Sequence, residues 1–510
     1  MDLHIKDKRI SLITLCCIGW GILAHGMAIF NKYSYHDDVP WFNGVGETYG
    51  LGRWFLGFSG KMIEWLFDSH NYSMPVFNGI LTIASIGTMV YIICKRLKIT
   101  SNVLIISLCG VMICFPSVIN IFGFVFTAGY YYISALLSVV GAYLFYKFKS
   151  VSSIIICAFL MALSTGIYQS NIAISLIVML IFMLDEVAGS DMDWKQYMIL
   201  TGKNAIVCIC FMAEYFVLNR VFLTLNHQEM YDYKGVNSFG ATDIKGYLLR
   251  IVTAYKRFIK PVDYINYNNA SANMFPLNIR YLHMILVFLV VILIAFWLTD
   301  FPKMTKKAQI GLLVVISPLF AYFIYVMVAE EDAHGGMAYG EAFMFVLAVY
   351  VIERIREKNR YTRIISKVCV ALILAIGIMM ARYANVCYLK AEIMQNEAIN
   401  YYNRLIVRIQ STEGYSEDTP VVYVSGRSKN DDDLQGAKIF DAIYLPPYQG
   451  NSIINDFSWE ETMNMWCGFA RVEGSMSDIE DKSVVEKMPP YPAEGSVKMV
   501  NGVLVVKFAE

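Results

Sequence analysis

Three adjacent residues that could carry acid–base chemistry, His36, Asp37 and Asp38, follow the first long apolar run of the chain. A carboxylate can act as a general base, because it accepts a proton from a hydroxyl group. Acids at a membrane boundary are costly to desolvate, and a solvated loop start is the competing interpretation. Neighbouring side chains diverge by about 100° on a helix or about 180° on a strand. We therefore expect only one of Asp37 and Asp38 to face a reacting group.

The same loop, 31–74, contains an arginine with an immediate aromatic neighbour, Arg53 in Gly52-Arg53-Trp54. A planar guanidinium binds phosphate oxygens in pairs, so Arg53 could clamp a phosphate. An interfacial anchor is the competing role. Nearby large apolar side chains predict amphipathic helices along the membrane interface: Trp41, Phe42, Trp54, Phe55, Leu56, Phe58 and Trp65.

A polar stretch at 164–171 separates two apolar runs. We expect Tyr168 and Gln169 to occupy a tight hairpin between two short membrane spans. Because unsatisfied polar groups cannot face lipid, the stretch should point toward protein or a water-filled cavity, such as a channel for a sugar or pyrophosphate. A turn with paired backbone groups is the alternative.

Charged residues of two later loops could also contribute to a site. Lys256, Arg257, Lys260 and Arg280 could neutralise a phosphate, although anchoring at the interface is the competing role. Four residues could line the site or bind a divalent cation, which is the one cofactor that the sequence leaves open: Glu330, Glu331, Asp332 and His334.

Two acidic motifs carry no prediction of function. Asp191-Met192-Asp193 matches the DxD of sugar-nucleotide transferases, but its loop of about a dozen residues cannot house a nucleotide-binding sheet. The aspartates at 431–433 lack the downstream glycine and glutamate of an EF-hand loop, so we expect a solvated turn.

The composition places these residues in a membrane protein. Hydrophobic residues make up 57% of the 510 positions and charged residues only 16%. The 42 Lys and Arg cancel the 42 Asp and Glu, so no net field attracts nucleic acid, and that class of partner is excluded. All cysteines except Cys387 and Cys467 lie in apolar runs, which indicates buried thiols rather than a disulfide framework.

Eleven apolar runs approach the roughly 20 residues that a helix needs to cross a bilayer. They predict an α-helical polytopic membrane protein with spans at 10–30, 75–94, 101–119, 127–146, 151–167, 170–184, 198–223, 281–299, 308–329, 339–352 and 364–386.

The charge of the loops predicts the orientation of these spans. The turns after every second span are basic, whereas the opposite short loops contain no Lys or Arg. Since cytoplasmic loops carry the excess of Lys and Arg, we expect the N-terminus in the cytoplasm, and eleven spans then put the C-terminus outside. Any chemistry is expected outside, where the long segments 31–74, 224–280 and 387–510 fall.

The chain is predicted to contain two domains, a polytopic membrane domain at 1–386 and a small extracytoplasmic domain at 387–510. In the second, a helical pattern at 390–410 is followed by strand-like stretches at 419–426 and 497–508. The Asn-Gly pair inside the last stretch indicates a hairpin. We expect an α/β or α+β fold for this domain.

Four features together resemble the bacterial serotype-converting glucosyltransferase II family: the acidic pair after the first span, Gly52-Arg53-Trp54, the hairpin Gly166-Ile167-Tyr168-Gln169-Ser170 and the terminal outer domain. This family belongs to the GT-C class of lipid-sugar glycosyltransferases. The resemblance, over roughly 10–400, implies a GT-C-like fold in the bacterial cytoplasmic membrane and a polyprenyl-phosphate sugar as donor. It also implies that an acid of the first outer loop, Asp37 or Asp38, is essential.

The expected function is an integral-membrane glycosyltransferase that moves a hexose, glucose by the resemblance, from a polyprenyl-phosphate donor to a cell-surface glycan. Phosphate is a good leaving group, so its departure needs a cation more than a proton, and one carboxylate suffices as base. The predicted catalytic residues are Asp37 and Asp38, and the predicted substrate-binding residues are His36, Arg53, Tyr168, Gln169, Arg280 and His334.

A transporter or flippase of a lipid-linked saccharide is the alternative function. Such a protein should bury ionisable residues near the middle of the membrane and show two related halves. The chain has no internal duplication, but Glu214 and Arg220, near the end of the seventh predicted span, keep this alternative open.

Overall fold

The computed structural model describes residues 7–33, 36–231, 242–261, 277–328, 333–424, 458–480 and 482–509. The chain forms two compact units. The first, the membrane unit, comprises Met1–Lys32 and Asn43–Val386, and the second, the terminal unit, comprises Tyr33–Phe42 and Cys387–Glu510.

The membrane unit is helical because its apolar runs satisfy their backbone hydrogen bonds internally only as helices. Ten helices among the described residues are long and apolar enough to cross a membrane, and a further apolar helix, Val151–Ile167, is shorter. The helices up to residue 410 are α1 (Lys8–Phe30), α2 (Trp54–Phe67), α3 (Pro75–Arg96), α4 (Asn102–Cys114), α5 (Pro116–Ile121), α6 (Val125–Phe148), α7 (Val151–Ile167), α8 (Ile172–Gly189), α9 (Trp194–Leu225), α10 (Ile244–Ile259), α11 (Leu277–Leu298), α12 (Met304–Ala321), α13 (Ile324–Met327), α14 (Phe343–Ile355) and α15 (Arg360–Gln410).

The helices follow the predicted spans with several differences, and the ninth span, 308–329, is divided into α12 and α13. The third span is divided into α4 and α5, because Pro116 cannot continue a helix but is favoured at the start of one. The tenth span begins as a 3-10 helix, Gly335–Ala342. The last span and the predicted helix at 390–410 form one helix, α15, because neither Pro nor Gly interrupts the chain between Gly377 and Gln410.

At one end of the membrane unit, the Asp185 end, buried charges pair across three helices. Asp185 on α8 is 7% exposed and accepts hydrogen bonds from Arg96 on α3 and Arg354 on α14, the second over 2.7 Å. Tyr350 on α14 donates to the same carboxylate over 3.1 Å. Because the donors come from different helices, this carboxylate fastens α3, α8 and α14 together.

Replacing Asp185 by Asn should lower the free energy of unfolding by about 3 kcal/mol, since Arg96 and Arg354 lose their buried counter-charge. Denaturant unfolding of the purified protein in a mild detergent measures this loss. Asp191→Asn is the control, because Asp191 pairs with Lys303 but its side chain is 63% exposed, and exposed pairs contribute little. Equal losses in the two variants would contradict a structural role for the Asp185 contacts.

The described residues of the terminal unit form β1 (Pro420–Val424), α16 (Trp459–Cys467), β2 (Val472–Glu473), α17 (Lys482–Glu486), β3 (Val497–Val500) and β4 (Val503–Lys507). Their four strands form a sheet in the order β2-β1-β4-β3, in which β1 is parallel to β2 and β4, and β3 is antiparallel to β4. Asn501 and Gly502 form the turn between β3 and β4 with φ values of +51° and +81°, so the predicted hairpin is confirmed.

The core of the terminal unit lies between one side of α15 and the sheet. Met394 and Tyr402 on α15 pack with Leu504 on β4 and Trp459 on α16, and all four are buried. Tyr33 packs on the same core. This contact explains why the segment Tyr33–Phe42, which contains the candidate acids, belongs to the terminal unit.

Candidate active site

The Gly52-Arg53-Trp54 segment is a tight turn between the 3-10 helix Tyr49–Leu51 and α2. Gly52 has a φ of +74°, and a Cβ at this position would lie 2.7 Å from Tyr215 Oη and 3.0 Å from Gln169 Nε2. These two groups hold the turn, because Tyr215 donates to the Gly52 carbonyl over 3.1 Å and Gln169 donates to the Leu51 carbonyl. Only glycine combines this φ with such close neighbours.

Arg53 is half-buried, and its guanidinium lies beside two tyrosine rings. Its Nη1 donates to Tyr131 Oη over 3.1 Å, and its Cζ lies 5.5 Å from the ring centre of Tyr168. The two rings stack with centres 4.2 Å apart and planes 5° apart. A guanidinium held in this way keeps its fork of N–H groups in one orientation, which bidentate binding of a phosphate requires.

The predicted hairpin is the surface on which the Gly52-Arg53-Trp54 turn packs. A Cβ at Gly166 would lie 2.5 Å from Trp54 Cε2, so the indole approaches α7 where only glycine leaves room. Tyr168 follows with its ring beside Arg53, and Gln169 binds the Leu51 carbonyl 118 residues earlier in the chain. Two motifs that are distant in sequence therefore form one structure.

The polar residues around this hairpin are buried and bind one another. Ser138 Oγ lies 2.9 Å from the hydroxyl oxygens of both Ser164 and Ser175. Asn171 Nδ2 donates to Ser134 Oγ over 2.5 Å. These contacts join α6, α7 and α8 next to the turn, so they fix the place of the Tyr131 and Tyr168 rings.

His36, Asp37 and Asp38 form one turn of 3-10 helix in the terminal unit. His36 Nδ1 lies 2.9 Å from Asp37 Oδ1. Asp38 is 0% exposed, whereas the Asp37 side chain is 33% exposed. The two carboxylates therefore differ in solvent exposure, since neighbouring side chains diverge. Asp37 is the one that solvent reaches.

Two tyrosines near the first loop are held in the protonated form. Burial, together with Glu392, raises the pKa of Tyr33 to about 12. Burial and Glu47 also raise the pKa of Tyr231, whose hydroxyl donates to Glu47 over 3.2 Å. Neither phenol is suited to accept a proton at neutral pH, so the carboxylates remain the candidate bases.

Two of the predicted substrate-binding residues lie on other elements of the membrane unit. Arg280 is half-buried in the first turn of α11, and His334 directly precedes the 3-10 helix Gly335–Ala342. Glu341 near the end of that 3-10 helix is 4% exposed and accepts a hydrogen bond from Tyr325 over 3.4 Å. Glu341 was not among the predicted site residues, although an acid inside an apolar run was a signal for it.

The metal candidates lie largely outside the described residues, whereas the DxD candidate lies within them. Residues 330–332 and 431–433 lie outside them, and the described residues contain no group of three or more His, Cys, Asp or Glu that could hold a metal ion. A hydrogen bond from Lys303 lowers the pKa of Asp191, and Asp193 caps α9 by accepting from the Gln196 amide over 2.7 Å. Asp193 of the DxD motif therefore has a structural role, and Asp191 forms an exposed ion pair.

Tyr131 and Tyr215 were not among the predicted site residues. Tyr131 is the middle one of three consecutive tyrosines inside an apolar run, and hydroxyl groups in such a run need partners, so a signal was present. Tyr215 offered no comparable signal. Its role depends on contact with Gly52, and the packing of α9 creates that contact.

One family is identified by comparison with known proteins. The family model for Glucosyl transferase GtrII matches residues 26–352, well over half of the chain. The chain belongs to the GtrII glucosyltransferase family. Membership implies glucosyltransferase activity, and it confirms the resemblance that the sequence motifs predicted. The matched range contains every predicted site residue from His36 to His334. No curated protein and no solved structure matches the chain.

Replacing Gly52 by Ala should reduce glucosyl transfer by at least about tenfold, because the new Cβ displaces Tyr215 or Gln169 and thereby moves Arg53. Transfer in isolated membranes, normalised to the amount of protein, measures the loss. Gly311→Ala is the control, since nothing lies within 4 Å of a Cβ at Gly311 in α12. Normal transfer by the Gly52 variant would show that the turn does not position a catalytic group.

Proposed function

We propose that this protein transfers glucose from a polyprenyl-phosphate donor to a cell-surface glycan at the outer face of the bacterial cytoplasmic membrane. Family membership supports glucosyl transfer, and the ten long apolar helices support a membrane location. The prenyl tail confines such a donor to the bilayer and presents its sugar phosphate at the interface. The basic loops of the sequence support a cytoplasmic N-terminus and an extracytoplasmic terminal unit.

The position of Arg53 is the observation that carries this proposal. Its guanidinium lies against Tyr131 and Tyr168, in a turn fastened by Gln169 and Tyr215. So many contacts around one half-buried cation indicate a role that requires orientation as well as charge. Bidentate binding of the donor phosphate is such a role.

Arg53 would act on the leaving group. As the bond between the sugar C1 and the phosphate oxygen breaks, its electron pair stays on the phosphate, and polyprenyl phosphate departs with additional negative charge. A guanidinium already in place stabilises that charge without reorganisation, which is the main requirement for a leaving group of this kind.

Asp37 would act as the general base. Its carboxylate would take the proton of the acceptor hydroxyl while the hydroxyl oxygen forms the new bond to C1. Asp37 is solvent-accessible, and His36 lies 2.9 Å from it and can orient it. The buried Asp38 would then have a positioning role in the same turn.

The other candidates would bind substrate. Tyr168 and Gln169 border the Arg53 position and would contact the donor. Arg280 and His334, on α11 and before the 3-10 helix Gly335–Ala342, would bind hydroxyl groups of the acceptor glycan.

A GT-C-like arrangement, with an interfacial helix after the first span, is part of the proposal. Helix α2 supports it through its exposed apolar residues. Trp54 and Leu56 at its start are buried, whereas Met62, Trp65 and Leu66 in its second half are exposed although they are apolar. Exposed apolar residues of this size are stable when they lie in lipid.

Arg53→Lys should lower glucosyl transfer by about 10²-fold at a similar amount of protein, because a point charge cannot reproduce the bidentate fork. Transfer from a synthetic short-chain polyprenyl-phosphate glucose to an acceptor glycan measures the change. Arg220→Lys on α9 is the control, since Arg220 is exposed. Wild-type turnover in the Arg53 variant would contradict bidentate phosphate binding and leave interfacial anchoring as the role of Arg53.

Asp37→Asn should lower transfer by roughly 10²-fold, because the amide keeps the shape of the side chain but cannot accept a proton. The same assay applies, and Asp68→Asn, an exposed acid at the end of α2, is the control. If Asp38→Asn rather than Asp37→Asn abolished transfer at normal abundance, Asp38 would be the base. If wild-type protein moved saccharide across liposomes without any transfer, the transporter function would replace the proposal.

A further inference from the structure

Helix α10 has an apolar stripe on its exposed side. Ile244, Leu248, Val252 and Ile259 recur at the helical period, and each is more than half exposed. The helix is not among the ten candidate spans of the described residues. A helix of this kind lies in the membrane interface, with its apolar side among the acyl chains.

Cations border the stripe. The segment 244–260 contains five Lys or Arg and no Asp or Glu. At about 3.6 residues per turn, Lys245, Lys256 and Lys260 fall along one edge of the stripe. Lys256 and Lys260 are exposed. A basic edge beside an apolar stripe at the interface attracts phosphate groups of anionic lipids.

Several contacts fasten α10 to the membrane helices. Tyr255 donates to the Val315 carbonyl over 2.8 Å, and His283 Nε2 lies 3.1 Å from the Phe258 carbonyl. Arg257 is 7% exposed, and its Cζ lies 5.6 Å from the ring centre of Tyr325. These contacts fix α10 on the membrane helices, and the space between α10 and those helices has a defined shape.

That space is an apolar cavity of about 250 Å³ between α10, α11, α12 and α14. Pro318, inside α12, is part of its wall, as are Phe258 and Ala348. Val291 and Val315 also line the cavity and are more than half exposed, so it opens on the surface that would face lipid.

We propose that this cavity and the lysines of α10 form a binding site for one anionic phospholipid. One acyl chain enters the cavity through the opening beside Val291 and Val315. The phosphate lies at the C-terminal end of α10, where Lys256 and Lys260 neutralise it. The site is separate from the glucosyl-transfer reaction, so its test does not depend on activity.

The dimensions and the location favour a phospholipid over the glycosyl donor. A cavity of about 250 Å³ is smaller than the roughly 300 to 1,000 Å³ of ligand pockets, and it holds part of one acyl chain rather than a long prenyl tail. The proposed donor phosphate site at Arg53 is built on α2, α6, α7 and α9. Those helices do not line the cavity beneath α10.

Photolabelling of the purified full-length protein tests this proposal. Phosphatidylglycerol and phosphatidylcholine, each with a diazirine in one acyl chain, are added in separate detergent mixtures, and labelled peptides are mapped by mass spectrometry. We expect phosphatidylglycerol to label the segments 286–294 and 314–318 about fivefold more than phosphatidylcholine, because two lysines favour the anionic lipid. Equal labelling by the two lipids would overturn the proposal.

Paired variants test the two parts of the site. The double variant Lys256→Gln/Lys260→Gln should abolish the preference for phosphatidylglycerol, whereas Lys245→Gln, about 16 Å away along the helix, should keep it. Val291→Trp should block the cavity and reduce labelling by both lipids, and Val217→Trp on α9 is its control at a similar exposure.

Each result of these variants decides the assignment. Unchanged labelling of Val291→Trp, or an unchanged lipid preference in the double variant, would refute the site. Displacement of the label by an equimolar short-chain polyprenyl phosphate would also refute it, because the cavity would then bind the donor tail.

Discussion

The hydrogen bonds that Gln169 and Tyr215 donate to the carbonyls of Leu51 and Gly52 determine where Arg53 lies. A carbonyl buried next to membrane helices needs a donor, because no water is present to supply one. The same requirement that stabilises the turn therefore orients the guanidinium. The stacked tyrosines, held by the buried serine contacts between α6, α7 and α8, then receive the guanidinium that this turn presents.

The two ends of the membrane unit use polar groups for different purposes. At the Asp185 end, carboxylates and guanidinium groups pair with one another across α3, α8 and α14. At the opposite end, where Tyr168 lies, Arg53 donates to the Tyr131 hydroxyl and lies beside the Tyr168 ring. These contacts orient the guanidinium fork, and bidentate binding of a phosphate requires such an orientation.

Helices α2 and α10 present apolar side chains suited to the membrane interface. Both α2 and α10 bury some residues against the protein and expose large apolar residues. Helix α2 lies in the long loop 31–74, which contains Arg53, and α10 lies in the long loop 224–280, which ends at Arg280. In the proposed reaction a lipid-linked donor reaches the site within the plane of the bilayer, and helices embedded in the interface provide rigid support at that depth.

The sequence by itself determined the class of the protein, its apolar helices, the Asn-Gly hairpin and the family, because hydrophobic length, turn chemistry and short motifs are local properties of a chain. It also singled out Arg53, Tyr168 and Gln169, but as separate candidates with competing roles. Only the tertiary structure showed that they pack together, that Tyr131 and Tyr215 complete the group, and that Asp38 is buried while Asp37 is accessible. Contacts between residues more than a hundred positions apart depend on which faces of the helices meet, and that choice reflects packing over the whole unit rather than any local pattern.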